Sequence, residues 1–443
     1  MSDIRAFLKE VEDDDVVHIK EPLSTLYEVA AALDRWDGNK VVALDKVKET
    51  GTRFVGNLCG TRRNILKALK VEPERLYSRL IGATKNPVKC GVGDGPVKEV
   101  VERGSLKDIP VLTHFKGDPG PYITAGIVYV RSHDDSMENV SFHRLLVLDE
   151  RRMAIRIVPR HLYRLTQMAK NASVTSLDAS VSIGLHPAVM LAGSMAAPFG
   201  VSEFDVVNNL LDGNLKLTEC EHVNALAPAD AELVLEGKLM LDKEVTEGPF
   251  VDLSGTYDIQ RQQPVIELVG VMHRDDYIYQ GLLPAGSEHR LMMGMPQEPR
   301  IWEYVRGVVP NVRGVNLTLG GMGWLHCVVS FEKVRDGDPK NVLMATFAAH
   351  PSLKHVVVVD SDIDPYDMEQ VEWAIATRFR GDEDLLVVPN VRVSSLDPAS
   401  DQEKELGCKV GVDATRPLYK SSDGFKKAEI VASDELKKIL DRY

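Results

Sequence analysis

The chain has 443 residues, 44% hydrophobic and 27% charged, which excludes disorder as its main state and gives length for two or three domains with a sizeable core. Its formal charge of −13, from 53 Lys and Arg against 66 Asp and Glu, repels a phosphate backbone and argues against nucleic acid as a partner, though not against a local basic pocket. No apolar run approaches the roughly 18 residues of a membrane span, the N-terminal MSDIRAFLKEVEDDD lacks the features of a signal peptide, and the scattered Cys59, Cys90, Cys220, Cys327 and Cys408 show no CxxC spacing, so the expectation is a cytoplasmic protein without disulfides or structural zinc.

Residues 1–105 read as a mixed α/β domain. Ser24–Trp36 has a Ser start and helical spacing, VVALDKV is a short strand, and a second helix fits Arg62–Leu69. The GVGDG stretch that follows does not match GxGxxG and reads as a turn rather than a phosphate loop. Over residues 106–295 the texture changes to short β-rich runs: AGIVYVRS, VSFHRLLVLD, MAIRIV, AVMLAGSM, PVIELVGVMH and DYIYQGLL. With a helix at HLYRLTQMAKNA inserted, this reads as a barrel or sandwich. Residues 296–443 open with a helix at Glu298–Val308 that could link two domains. LHCVVSFEKV, NVLMATFAAH, KHVVVVD, MEQVEWAIATRF and LLVVP then alternate strand and helix as in an α/β unit with parallel strands.

Four clusters could carry chemistry. In ENVSFHR, strand alternation places Asn139, Ser141 and His143 on one face and Val140, Phe142 and Arg144 on the other; a solvated barrel edge is the plain alternative. In IVPRHLYR, a strand ends at Pro159 and Arg160 and His161 open a helix, where a histidine also serves as a cap. In LAGSMAAPFGVSE, small residues allow close backbone approach and Glu203 falls at a helix start, a pattern equally met in a tight turn. In EGPFVD, Gly-Pro bends the chain between Glu247 and Asp252 and can bring two acids to one side of a cleft. Together Asn139, His161 and Glu203 offer an amide oxygen, an imidazole and a carboxylate, a set suited to Mn²⁺ or Mg²⁺. Arg144, Glu247 and Asp252 offer a cation for a carboxylate and two acids for proton handling.

These segments resemble the UbiD family of reversible, prenylated-flavin-dependent decarboxylases. NVSFHR is similar to the family's Asn-x-x-x-x-Arg element, PRHLYR to its metal-histidine segment, GSMAAPFGVSE to its small-residue loop and EGPFVDLSGTY to its acidic signature. VDSDIDPYDMEQVEWAIATR and KVGVDATRP resemble its C-terminal blocks. The resemblance implies an α/β (α+β) fold: an N-terminal α/β domain, a central flavin-binding split β-barrel, and a C-terminal α/β dimerisation domain joined by a linking helix. It also implies prenylated FMN as cofactor, supplied by a flavin prenyltransferase, and a homodimer or higher homo-oligomer. Asn139, His161 and Glu203 would hold Mn²⁺ or Mg²⁺, which holds the cofactor phosphate. K⁺ or Na⁺ would sit beside it on carbonyls of Ala192, Gly193 and Met195 with Glu203. Ser141, Arg144, Arg160, Ser194, Met195 and Lys354 would complete the cofactor site, Lys354 at the phosphate. Arg144, Glu247 and Asp252 match the catalytic arginine and acids, although Asp252 is Glu in some members. Asn139 and Arg144, five apart, face opposite ways in an ideal strand, so either a bulge intervenes or metal and substrate lie on different sides of the cofactor's phosphate arm.

Decarboxylation at an sp² carbon needs an electron sink, which the resemblance implies the flavin supplies; Arg144 would orient the carboxylate and Asp252 deliver the proton. The family takes aromatic, heteroaromatic and α,β-unsaturated acids. The compact chain and its PAGSEH segment resemble archaeal-type members, some of which decarboxylate trans-anhydromevalonate 5-phosphate, and Arg160 adds a positive charge for a second anion. That acid is therefore the expected substrate, with a small aromatic or heteroaromatic acid as the alternative. A non-catalytic subunit of a carboxylase complex and an oxidoreductase using unmodified flavin stand as readings of other classes. The full set of Arg144, Glu247 and Asp252 argues against the first.

Overall fold

The computed structural model describes residues 3–195, 197–428, 430–431, 433–440 and 442. It is mixed α/β. Near the N-terminus, strands Val16–Ile19, Val41–Leu44 and Arg53–Gly56 form a sheet whose fourth member, Ile278–Gln280, comes from far along the chain. The helix expected over Ser24–Trp36 forms only from Glu28 to Arg35. Ser24 instead donates its hydroxyl to Glu49 at 2.5 Å, and Tyr27 takes a left-handed turn (φ 69°) that delays the helix. Arg62–Leu69 is helical as expected, with the Thr61 side chain accepting the Asn64 N–H.

The central sheet has nine strands. Its spine is the antiparallel pair Leu233–Glu247 and Arg261–His273, with register shifts at Glu236/Gly237 and Met240/Glu244 that bend the strands. The inward side chains, among them Val128, Val130, Met153, Ile155, Val181, Leu235, Leu239 and Ile266, form one buried cluster. Val100–Glu102 pairs with Arg261–His273 and so joins this sheet as well. AVMLAGSM, expected as a strand, is instead the helix Pro187–Ser194. Pro187 is preset for a first helical position and His186 Nδ1 accepts the Ala188 N–H. Because Pro187 through Gly193 are buried on all sides, no polar face marks the helical period, and such an apolar run reads like a buried strand.

The C-terminal sheet runs in the order Val312–Leu317, His326–Phe331, His355–Asp360, Leu406–Ala414, Leu385–Arg392. Its three central strands are parallel, as expected, but both edge strands, including the one begun by LLVVP, are antiparallel. Two buried carboxylates join the parts. Glu232 accepts Arg5 at 2.7 and 2.8 Å, Arg274 at 3.3 Å and the Ile278 N–H at 2.9 Å, tying the first helix to the barrel. Glu298, in the helix Glu298–Arg306, accepts Arg62, the Tyr77 hydroxyl and the Leu317 N–H, so this helix bridges the N-terminal helices and the C-terminal sheet.

Glu288, 1% exposed, accepts the Cys59 N–H at 2.8 Å through one oxygen, while the other has no partner among the described residues. Burial, aided by the charge of Asp37, pushes its carboxyl up to about 7 from the ordinary 4.5. The folded protein therefore keeps this proton through a window in which the unfolded chain releases it. The group's contribution to stability is complete below the lower value and falls as pH rises to the upper one. Glu288→Gln should flatten this slope, worth about 3 kcal/mol across the window. Urea midpoints of wild type and variant, measured over that range, test it; parallel pH profiles would refute the assignment.

Candidate active site

Arg144 sits at a corner. The strand Glu138–Phe142 pairs with Ile127–Arg131, whereas Leu145–Val147 pairs with Arg152–Ile155 and Tyr122–Ile123. Asn139 thus lies within a strand, whereas Arg144 lies with His143 in the corner between two strands that have different partners. Behind Arg144 lies a small apolar cluster of Tyr122, Leu146, Ala154 and Phe250. The guanidinium lies 4.4 Å above the Phe250 ring and is nearly enclosed.

Its charge is met by three acids. Glu247, fully buried, accepts Nε at 2.9 Å and Nη2 at 3.0 Å, Asp252 accepts Nη1 at 3.0 Å and Asp258 accepts Nη2 at 3.3 Å. Burial would lower the Arg144 pKa, but the Glu247 hydrogen bonds and the surrounding carboxylates raise it above its ordinary value. Burial would likewise raise Asp258, yet Arg261 at 2.6 Å and the charge of Arg144 lower it. Tyr122 donates its hydroxyl to Glu247 at 3.1 Å, and burial with the Glu247 charge drives this phenol up. Gly248, at φ 92°, allows the reversal after Glu247 that a side chain would resist. Phe250–Val251 then pairs with Tyr257–Asp258 in a hairpin that returns the third acid to Arg144.

The second cluster is built across the corner. Glu203 opens the helix Glu203–Leu210, is 3% exposed, and accepts the Val140 N–H at 2.9 Å. Asn139 Nδ2 lies 3.5 Å and His161 Nδ1 3.8 Å from Glu203 Oε1. Arg160 and His161 open the helix His161–Asn171, as the sequence suggests. A buried carboxylate with an imidazole and an amide around it, and no arginine or lysine paired to it, suits a hard divalent cation. Beside it the helix Pro187–Ser194 ends, with its Ala192 carbonyl accepting the Met195 N–H at 3.0 Å, and the negative dipole end of its last turn also suits a monovalent cation. Ser194 and Ser202 each bury a hydroxyl with no partner among the described residues, as a site for a polar group requires.

Lys354 has its ammonium 3.0 Å from Asp397, inside the C-terminal domain. Arg160 makes no ion pair among the described residues. Two residues escaped the sequence reading. Asp258 lies eleven positions after Glu247, and only the hairpin pairing brings it back. His289, on the helix Ser287–Gly294, accepts the Ala285 N–H at 3.1 Å. Burial and the charges of Arg144 and Arg290 lower its pKa, against the opposing charge of Asp252.

Residues 9–84, 89–287 and 290–414 match, in order, the N-terminal, Rift-related and C-terminal domains of 3-octaprenyl-4-hydroxybenzoate carboxy-lyase, UbiD. The chain is 43% identical over 424 residues to anhydromevalonate phosphate decarboxylase of Methanothermobacter thermautotrophicus, covering 96% of this chain and 99% of that protein. It is 28% identical over 425 residues to gallate decarboxylase of Lactiplantibacillus plantarum, covering 88% and 86%. Among solved structures, the UbiD-class enzyme HmfF from Pelotomaculum thermopropionicum, in complex with FMN, superposes with a TM-score of 0.95 at 36% identity, over 99% of each chain. The apo 3,4-dihydroxybenzoic acid decarboxylase of Enterobacter cloacae shares the fold, with a TM-score of 0.92 at 23% identity over all of both chains. With three domain matches in sequence order and such identity over nearly its whole length, the chain belongs to the UbiD family of carboxy-lyases.

Proposed function

We propose that the protein is a reversible, non-oxidative decarboxylase of trans-anhydromevalonate 5-phosphate that works with prenylated FMN. The observation that carries this reading is the single barrel corner that sets Arg144, Glu247 and Asp252 on one side and Asn139, His161 and Glu203 on the other. The named activity of the archaeal relatives supports the substrate. So do two arginines of this region, Arg156 and Arg160, which have no carboxylate partner among the described residues and could meet the phosphates of cofactor and substrate.

In this reading Asn139, His161 and Glu203 hold Mn²⁺ or Mg²⁺, and carbonyls of Ala192, Gly193 and Met195 with Glu203 hold K⁺ or Na⁺. Ser141, Ser194 and Met195 line the cofactor. Lys354 keeps further ammonium hydrogens, beside the one on Asp397, with which to meet a phosphate. The bound prenylated flavin, from a flavin prenyltransferase, supplies the electron sink that a vinylic carbanion needs. The protein's own part is charge and proton placement. A guanidinium has five N–H donors, and four are engaged, three of them by Glu247 and Asp258 and one by Asp252, leaving one Nη1 hydrogen for the substrate carboxylate. Asp252 is the proton donor. Its side chain is 21% exposed, whereas Glu247 is sealed and has both oxygens on Arg144. The edge strand Leu385–Arg392 exposes Leu385 and Val387, which supports a homodimer or larger homo-oligomer formed through the C-terminal domain.

Glu203→Gln or His161→Ala should lose Mn²⁺ and most of the flavin, read by metal analysis and absorbance; stoichiometric metal and cofactor in both variants would refute the ligand set. Arg160→Met should raise KM for the phosphorylated acid by roughly 10–150-fold and affect a non-phosphorylated acid much less. Equal losses would move Arg160 to a cofactor or structural role. Asp252→Asn should keep metal and flavin but slow turnover by about 10²–10⁴-fold. In D₂O the wild type should place deuterium on the carbon that carried CO₂; full turnover and labelling by Asp252→Asn would hand the proton to Glu247.

A further inference from the structure

A hydrogen-bond relay runs from the proposed metal cluster to the backbone beside Arg144. Ser141 Oγ lies 2.9 Å from Asn139 Oδ1 and 2.8 Å from His143 Nε2; His143 Nδ1 lies 2.8 Å from the Arg156 carbonyl; and Arg156 N donates to the Arg144 carbonyl at 3.2 Å. The hydrogens in this relay can be counted. A carbonyl oxygen only accepts, so His143 Nδ1 carries the hydrogen. Burial and the charges of Arg156 and Arg160 lower the His143 pKa to about 4, against the Arg156 carbonyl bond, so near neutral pH the ring is uncharged and Nε2 is an acceptor. The one hydroxyl hydrogen of Ser141 must then go to Nε2. It is not available for Asn139 Oδ1, yet these two oxygens lie at hydrogen-bond distance.

The conflict resolves when the Asn139 amide turns about its last bond, exchanging oxygen and nitrogen at almost no steric cost. Nδ2 then donates to Ser141, and Oδ1 takes the position 3.5 Å from Glu203 Oε1. Two oxygens facing one another in a buried site repel unless a cation lies between them. We propose that His143, acting through Ser141, is a positioning residue that fixes the Asn139 amide with its oxygen toward Glu203, and so presets the site for a divalent cation. The inference rests on the metal-ligand reading above and adds to it the group that chooses which end of the amide faces the ion. It also predicts the order of dependence. Without His143, Ser141 is free to donate to Asn139 Oδ1, which turns the amide nitrogen toward the metal.

The test is a cycle in Mn²⁺ affinity, measured by calorimetry on the whole apoprotein. His143→Phe should weaken Mn²⁺ binding by about 10–100-fold in the otherwise native protein, the usual range for losing a ligand's supporting hydrogen bond. In Asn139→Asp protein the same His143→Phe change should have little effect, because a carboxylate presents oxygen on both sides and needs no orientation. A general structural defect would weaken both backgrounds alike, and that outcome overturns the relay while leaving the ligands in place. A wild type that binds no Mn²⁺ overturns the ligand assignment and the relay with it. Independently of any variant, ¹⁵N shifts of the His143 ring at neutral pH should report the tautomer protonated at Nδ1. Finding the Nε2-protonated form would overturn the proposal even if His143→Phe failed to fold.

Discussion

The buried pair of Arg144 and Glu247 is the constraint around which the barrel is arranged. Moving either charge alone into a fully enclosed position costs several kcal/mol, so each needs the other with good geometry and further hydrogen bonds to complete its shell. Both oxygens of Glu247 face Arg144, and the Tyr122 hydroxyl adds a third bond. The strand that delivers Glu247 and the corner that delivers Arg144 lie far apart in sequence, so the pair forms only when the sheet closes in register. Phe250 and Tyr122, with ring centroids 4.8 Å apart, wall off the pair on its apolar side. What remains open is the side of Asp252, where Nη1 keeps one hydrogen that a substrate carboxylate could take.

That open side is shared with the C-terminal domain. Leu253, the residue after Asp252, is buried in a cluster with Trp324 and Leu325, and the Trp324 ring meets His350 edge-on at 4.4 Å. The position of Asp252 is therefore set by two domains at once. Glu247 depends on the barrel alone. A shift of the C-terminal domain would move the acid proposed to deliver the proton while leaving the charge clamp intact.

How much the sequence discloses depends on whether a residue's environment is local. Arg62–Leu69 was readable because its cap and its amphipathic spacing lie within the segment. The two candidate trios were readable as residue types with resembling motifs, and the structure brings the members of each near one another. The helix Pro187–Ser194 was not, since burial on every side erases the period that identifies a helix. The opposition of Asn139 and Arg144 on an ideal strand was a real geometric problem, and its answer, a corner with a change of strand partners, is a tertiary fact. Asp258 reaches Arg144 only through a hairpin, His289 comes from a helix outside the motif, and Lys354 pairs with Asp397, 43 positions away.

The two acids that look alike in EGPFVD are thus made different by what holds them. Glu247 holds Arg144 through both oxygens and also accepts the Tyr122 hydroxyl, so its carboxylate is committed to fixing the guanidinium. Asp252 Oδ2 shares Nη1 of Arg144, and its other oxygen accepts the Leu253 N–H at 2.7 Å. A carboxylate entering at Nη1 would take the hydrogen that Asp252 leaves free. The acid proposed to deliver the proton would thereby sit beside the bound carboxylate. Glu247, with both oxygens on Arg144, would instead hold the guanidinium where that carboxylate arrives.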